Sequence, residues 1–235
     1  LKALLQRWFS PRPHLGPQQA ARLTAWRKLP VAGRNKTFER SRCVVLDVET
    51  TGLNLVKDSL ISIGAVAVEN GRIVLADSFY VVLQQRESSR KENILIHGIS
   101  GSVQREGESP VDALLSFLEY LGKDPLVAFH VTFDRTMIRR AIRQYLDISF
   151  ELPWLDLAYV MPALYPELMH SHRGLDDWSR YFNIRNEDRH NAVSDALATA
   201  QLLLIAIKVA NQTRDTGYEG LRSLERTYRY TSGKG

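Results

Sequence analysis

The stretch Cys43-Val44-Val45-Leu46-Asp47-Val48-Glu49-Thr50-Thr51-Gly52-Leu53 constrains this chain more than any other. It opens with four apolar residues in succession, two of them valines, which read as a strand buried on both faces. Asp47 and Glu49 follow where that strand should end. Side chains alternate faces along a strand, so both carboxylates point one way and Val48 points the other. Neighbouring buried carboxylates repel, and the pair is costly unless a proton or a cation is shared between them. A divalent metal removes that cost. A turn is the plainer alternative, because Asp and Thr-Gly commonly close strands. On this stretch alone both readings stand.

A chain of 235 residues can bury one good-sized core, with extensions at its ends. Hydrophobic content of 44% and charged content of 24% are ordinary for a soluble globular protein. No apolar run approaches the roughly 20 residues of a membrane span, and no signal-peptide pattern is present, so no membrane partner is expected. The chain opens on Leu rather than Met, which fits a natural start that precedes it. The single cysteine, Cys43, cannot form an internal disulfide and fits a reducing, cytoplasmic setting; within an apolar strand it is expected to pack rather than react. A net charge of +5 is compatible with an anionic partner and equally with plain solubility.

Three regions follow along the chain. Residues 1–40 form a basic helical extension: Leu1, Leu4, Leu5 and Trp8 recur at helical spacing, Ser10-Pro11-Arg12-Pro13 ends that helix, and a second is expected from Gln18 to Lys28. Arg22, Arg27, Lys28, Arg34, Lys36, Arg40 and Arg42 make the approach to the first strand basic, as a nucleic-acid- or membrane-touching arm, a packing extension or a solvated linker would be. Residues 41–211 hold the main domain. A second strand is expected over Leu60 to Val68, a hairpin turn at Asn70-Gly71 and a third strand over Arg72 to Leu83, giving an antiparallel meander. A polar loop over Gln84 to Asn93 precedes a helix from Pro110 to Leu121, capped by Ser109. A fourth strand (Pro125 to Phe129), a helix (about Phe133 to Tyr145), a fifth strand near Trp154-Leu155-Asp156 and a helix broken by Pro162 and Pro166 come next. A short helix to Tyr181 and a long one over Ala192 to Ala210 complete the domain, and residues 212–235 read as a polar tail with some helical apolar spacing at Leu221 and Leu224. Three strands followed by strands alternating with helices predict an α/β fold with a mixed five-stranded sheet and helices on both faces.

Two further acids stand out. His130-Val131-Thr132-Phe133-Asp134 falls where the fourth strand hands over to a helix. An acid in a first helical turn is stabilised by the helix dipole, which by itself accounts for Asp134. If the first and fourth strands are parallel neighbours, however, Asp134 arrives at the same end as Asp47 and Glu49, where open α/β sheets bind ligands. His190-Asn191-Ala192-Val193-Ser194-Asp195-Ala196 opens the long last helix. An aspartate one turn into an otherwise apolar helix is anomalous if it faces the core unpaired. His190 lies just ahead, where the chain can fold it back toward Asp195; a structural or solvated histidine is the plainer reading.

Asp-x-Glu-Thr-Thr-Gly at a strand end, Phe-Asp at a strand-to-helix junction and His-x-x-x-x-Asp on a late helix occur here in order. Over roughly residues 41–210 this combination resembles the DEDDh branch of the DnaQ-like exonucleases, whose best-known member is the proofreading epsilon subunit of bacterial DNA polymerase III. Ile96-His97-Gly98-Ile99 resembles the family's Ile-His-Gly-Ile segment near the substrate 3′ end, Glu92 matches an acidic position there, and His130 matches the histidine opening the second motif. Val131-Thr132 departs from the family's usual Asn-Ala, replacing an amide that would contact the substrate backbone or brace the loop.

The resemblance implies a ribonuclease H-like fold and a 3′→5′ exonuclease using two divalent ions, Mg²⁺ or Mn²⁺. Asp47 would bridge both ions, Glu49 and Asp195 would hold the one that binds the attacking water, and Asp134 would orient the other. His190 would be the general base. The Thr50-Thr51-Gly52 backbone would approach the terminal nucleotide, with Leu53 and Phe133 against the last bases, though core packing serves Phe133 equally well. Glu92, His97 and His130 are further substrate-side candidates, while Lys57, Asp58, Asp176 and Asp177 read as solvated turn or cap residues. The implied partners are a single-stranded or frayed DNA 3′ end, a nucleoside monophosphate product and a DNA polymerase or other protein. An exoribonuclease on the same site and a non-catalytic nucleic-acid-binding module are the alternatives.

Overall fold

The computed structural model describes residues 15–31, 37–212 and 217–232. Strands β1 (Arg42–Thr50), β2 (Leu60–Glu69) and β3 (Arg72–Val82) are successive and antiparallel. Asn70 and Gly71 join the last two with positive φ at both positions (52° and 73°), the backbone that Asn-Gly favours in a tight hairpin. Short strands β4 (Leu126–Ala128) and β5 (Trp154–Asp156) add in parallel, giving the order β3-β2-β1-β4-β5. The meander and the mixed sheet thus match the sequence pattern. β2 is buried over all but its last residue, whereas β3, at the sheet edge, alternates and is largely open.

Strand alternation on β1 divides the interior in two. Val44, Leu46 and Val48 pack with helices α4 (Pro110–Leu121) and α5 (Val131–Leu146). Cys43 and Val45 face the other way, toward α6 (Leu157–Leu164), α7 (Leu175–Tyr181) and α8 (Ala192–Gln212). Cys43 is fully enclosed there, and burial pushes its thiol up to about 12, so it packs rather than reacts. By length and composition α8 could cross a membrane, but more than half of it is buried within the protein, as a core helix is.

Outside the sheet the outcomes differ from element to element. The Leu1–Trp8 helix, its Pro-rich stop, Arg34 and Lys36 lie outside the described residues. Helix α1 (Pro17–Lys28) does form, and it is docked: Leu23 and Trp26 are buried and the Trp26 indole donates to the Gly122 carbonyl at 2.7 Å. Of the basic residues before the first strand, Arg22 pairs with Glu119 and Arg42 with Asp77 and Asp124, so internal ion pairs use part of that charge. The expected loop from 84 to 93 gives way early to α2 (Lys91–His97), followed by α3 (Gly101–Glu106). Ser109 occupies the N-cap of α4, but its hydroxyl makes no capping bond. Pro162 does not break α6, which continues to Leu164 with the proline buried; Pro166 opens a separate short turn. The polar tail contains helix α9 (Tyr218–Ser232), where Tyr218 and Leu221 are buried and Leu224 packs beside them. The apolar spacing there wins over the polar composition because one face has a partner.

Candidate active site

The C-terminal end of β1 carries Asp47 and Glu49, opposite Gly64 and Ser62 of β2. The register shifts between Glu49 and Thr50, so the regular ladder ends at these acids. Asp195 comes from the first turn of α8 and is 2% exposed. Gly64 makes that approach possible. A Cβ there would stand 2.3 Å from the Ala192 carbonyl carbon and 2.4 Å from the Val193 nitrogen, so the start of α8 rests directly on bare β2 backbone. The ligand oxygens of Asp47, Glu49 and Asp195 consequently all lie within 4.8 Å of one another.

Asp134 reaches the same strand end from the opposite layer. His130 turns the chain from β4 into α5 with left-handed backbone (φ 66°), and Asp134, 3% exposed, lies in the first turn that follows. Its carboxylate lies close enough to Asp47 for the two charges to act on each other, and the neighbouring Val48 and Asp134 amides partly offset that repulsion. Sheet and helix therefore bring all four acids to one end of β1.

Their charges are mutually unfavourable. Burial, then repulsion from Asp195, pushes Asp47 up to about 8; burial, then Asp47 and Asp195, pushes Glu49 up to about 9. Burial and the Asp47 charge likewise raise Asp134 well above the carboxylate range. Arg189 opposes this. Its guanidinium bonds Asp195 and Asp176, and its charge lowers both Asp47 and Glu49. Asp195 also accepts from Asn186 and from the His190 backbone N–H at 3.1 Å. His190 itself is exposed, with left-handed backbone (φ 64°); its amide, rather than its ring, binds the aspartate. An all-oxygen set of clustered carboxylates suits a hard divalent cation such as Mg²⁺ or Mn²⁺.

The loop beyond β1 borders this cluster. The Thr50 hydroxyl donates to the Gly52 carbonyl at 2.8 Å, and the Thr51 hydroxyl to Asp58 at 2.9 Å. Asp58 also accepts the Asn54 N–H at 2.7 Å and would meet any Cβ at Gly52, so it shapes the loop instead of being solvated. Arg140 of α5 donates to the carbonyls of Leu55, Val56 and Asp58, and Asn93 of α2 to that of Thr51. Leu53 projects from this braced turn 86% exposed. Phe133 is partly buried against the α4–α5 core.

Other substrate-side candidates are distributed differently. Glu92 and His130 are exposed. His97 is buried; its Nδ1 accepts the Ile99 N–H at 3.0 Å, so Nε2 carries the proton toward Ser89 Oγ at 3.3 Å, and burial lowers its pKa. With Gln104 bonding Ser89 and the Ile99 carbonyl, His97 braces the loop that joins α2 and α3. Asp177 does cap α7, accepting from Arg173 and Gly174, but Asp176 holds Arg189. Gly64, Asn93, Arg140, Asn186 and Arg189 escaped the sequence reading. For Arg189 alone a signal existed, a cation next to the His-x-x-x-x-Asp motif.

The exonuclease family model, of the RNase T type, matches residues 44–203. The chain belongs to the DnaQ-like exonuclease family. Its relatives include the PolC-type DNA polymerase III of Bacillus subtilis, 32% identical over 77% of this chain and 13% of the relative. That of Listeria welshimeri is 34% identical over 74% of this chain and 12% of the relative, so the chain spans only about an eighth of the length of these proteins. Among solved structures, Escherichia coli exonuclease I in complex with a dT13 oligonucleotide superposes with a TM-score of 0.64 at 17% identity, covering 75% of this chain and 43% of that one. Exonuclease X in complex with 5′ overhanging duplex DNA gives 0.59 at 19% identity, covering 78% of this chain and 98% of that one. At these identities the likeness is one of fold, the mixed ribonuclease H-like sheet with helices.

Proposed function

We propose that this chain is a divalent-metal-dependent 3′→5′ exonuclease that hydrolyses phosphodiester bonds at the 3′ end of single-stranded or frayed DNA and releases 5′-mononucleotides. The observation that carries this reading is the convergence of Asp47, Glu49 and Asp195 within 4.8 Å, with buried Asp134 near enough to feel the charge of Asp47. DNA is favoured over RNA because the solved complexes of similar fold hold DNA and the sequence relatives are DNA polymerases. The same relatives favour work beside a polymerase, as proofreading requires.

In this reading Asp47, Glu49, Asp134 and Asp195 hold a pair of Mg²⁺ or Mn²⁺ ions, which when bound supply a polarised water and offset charge on the phosphate and the leaving 3′ oxygen. Asp134, in the first turn of α5 and 3% exposed, is held beside β1 by the packing around it. His190, exposed at a corner tied to Asp195, takes the proton from the attacking water at a ring nitrogen. Thr51 and Gly52 offer close-set backbone to the terminal nucleotide, and exposed Leu53 offers an apolar face to its base.

The test is digestion of 5′-labelled DNA and RNA oligomers of matched sequence with Mg²⁺, Mn²⁺ or chelator. A ladder shortening from the 3′ end of DNA, absent in chelator, is expected. Degradation of RNA alone would move the substrate to RNA. Binding without cleavage under every condition would leave a non-catalytic module instead.

A further inference from the structure

We infer that Arg229, on helix α9, is a positioning residue for the nuclease centre. It acts by holding Asp156 and, through it, the His130 corner from which Asp134 is aimed. The inference rests on the nuclease reading above, but it concerns a helix beyond residues 44–203, the part of the chain that matches the exonuclease family.

Asp156 ends β5 and is 1% exposed, and both its oxygens are used. Oδ1 accepts two backbone N–H groups, that of Ala158 at 3.1 Å, where it caps α6, and that of His130 at 3.0 Å. Oδ2 accepts Arg229 Nη2 at 2.8 Å. The guanidinium is itself fixed. Its Nε donates to Glu225 at 2.9 Å, it lies 3.7 Å from the centre of the Tyr159 ring, and Glu225 accepts the Asp156 backbone N–H at 3.3 Å. α9 is anchored independently of these polar contacts by Tyr218 and Leu221 in the core.

The far end of the chain of contacts is the acid cluster. His130 holds left-handed backbone (φ 66°), a conformation that a residue with a Cβ keeps only when its surroundings impose it. The His130 carbonyl accepts the Phe133 N–H at 3.1 Å and so starts the turn that carries Asp134. The charge of Asp156 acts directly on Asp134. Without Arg229, Asp156 is a buried anion lacking its counter-charge and must either take a proton or reorient. Either change weakens its grip on the His130 amide, and the corner that sets Asp134 relaxes.

The experiment compares Arg229→Ala and Arg229→Lys, made in the 235-residue chain, with Leu221→Ala, which loosens α9 from its apolar side without touching Asp156. kcat on a labelled single strand, urea unfolding and hydrogen exchange of amides 128–134 are measured for each. Arg229→Ala should lower kcat by about tenfold or more with KM little changed, as sub-ångström misplacement of a reacting group does. It should also speed exchange at 130–134, and Arg229→Lys should recover part of both. Leu221→Ala should lower the unfolding midpoint at least as much while keeping kcat within about twofold. Equal loss of kcat in Arg229→Ala and Leu221→Ala, or unchanged exchange at 130–134 in Arg229→Ala, would overturn the inference. Exchange requires no substrate, so a wild-type chain without nuclease activity would sink the nuclease reading and still leave the Arg229 contact decided by protection at 130–134.

Discussion

At the ends of β1 and α8, three carboxylates face one another with Arg189 as a counter-charge, and two of them are driven to titrate near 8 and 9. Just beyond, the turn from Thr51 to Ser59 is tied on every side: Asp58 inside it, Asn93 from α2, Arg140 from α5. One region stores unfavourable charge; the other is laced by hydrogen bonds. The difference separates two jobs. Clustered, mutually repelling acids attract a cation and weaken the fold, as functional sites commonly do. A turn braced in this way fixes where Gly52 and Leu53 stand relative to the acids. Changes in the first region should remove activity without loss of stability, and changes in the second should do the reverse or do little.

The largest expected effect is at Asp47. Asp47→Asn keeps the shape and removes a charge that Glu49, Asp134 and Asp195 all oppose. Exonuclease activity should fall on the order of 10³-fold. In chelator at alkaline pH the unfolding free energy should rise by roughly 1 kcal/mol, since repulsion is relieved. A variant that lost stability in urea along with activity would erase the contrast between the two regions.

Gly64→Ala comes next. A methyl group 2.3 Å from the Ala192 carbonyl carbon cannot be accommodated unless α8 moves. Overpacking of this kind costs about 1–3 kcal/mol, and shifting Asp195 by an ångström costs on the order of 10²-fold in rate. This variant should lose both stability and activity, and at low temperature the activity loss should persist after folding is restored. Urea unfolding together with single-turnover digestion separates the two. Retained activity would show that α8 does not need to sit so close to β2.

How far the sequence carried follows the same division. The acids were legible because a charge in an apolar strand or helix contradicts its surroundings, and Asp47, Glu49 and Asp195 each do so visibly. The five strands were legible from their apolar runs and from Asn70-Gly71. The braces were not. Arg140 and Asn93 bind main-chain carbonyls far away in sequence, and such bonds leave no periodicity and no motif. His97 looked like a substrate contact because of the segment around it, and only the packing of Ser89 and Gln104 reveals its buried role. Gly64 looked like an ordinary apolar-strand residue, since the helix that requires it begins far along the chain. α9 was hidden by its charged residues, some of which, Glu225 and Arg229, turn inward to Asp156.

A smaller effect is expected from pH. Asp47 and Glu49 titrate near 8 and 9 in the folded protein, whereas an unfolded chain releases those protons near pH 4. Across that window the folded state holds protons that the unfolded state has lost, so stability in chelator should fall as pH rises. The slope is at most about 1.4 kcal/mol per pH unit for each carboxylate, and less as far as solvent reaches the pair. A divalent cation replaces those protons, so Mn²⁺ binding should release protons and tighten between about pH 6 and pH 9. Urea unfolding with chelator or Mn²⁺, and calorimetry in two buffers of different ionisation heat, measure both. A flat stability profile in chelator would mean that the acids are already neutralised within the fold, and the charged region would then resemble the braced one.

The smallest effect is expected at Leu53, where the two regions meet. Its side chain is 86% exposed, so truncation removes little buried surface and Leu53→Ala should change stability by no more than about 0.5 kcal/mol. The turn beneath it is held by main-chain bonds to Asp58, Asn93 and Arg140, none of which involve the leucine side chain. If Leu53 packs on a terminal base, as proposed, removing its side chain should raise KM for a single strand about three- to tenfold with kcat nearly unchanged. The uniform KM effect follows because the contact is made equally in the ground and transition states. If kcat fell instead, Leu53 would be aligning the scissile phosphate with the acids, and the braced turn would belong to the chemistry as well as to the grip.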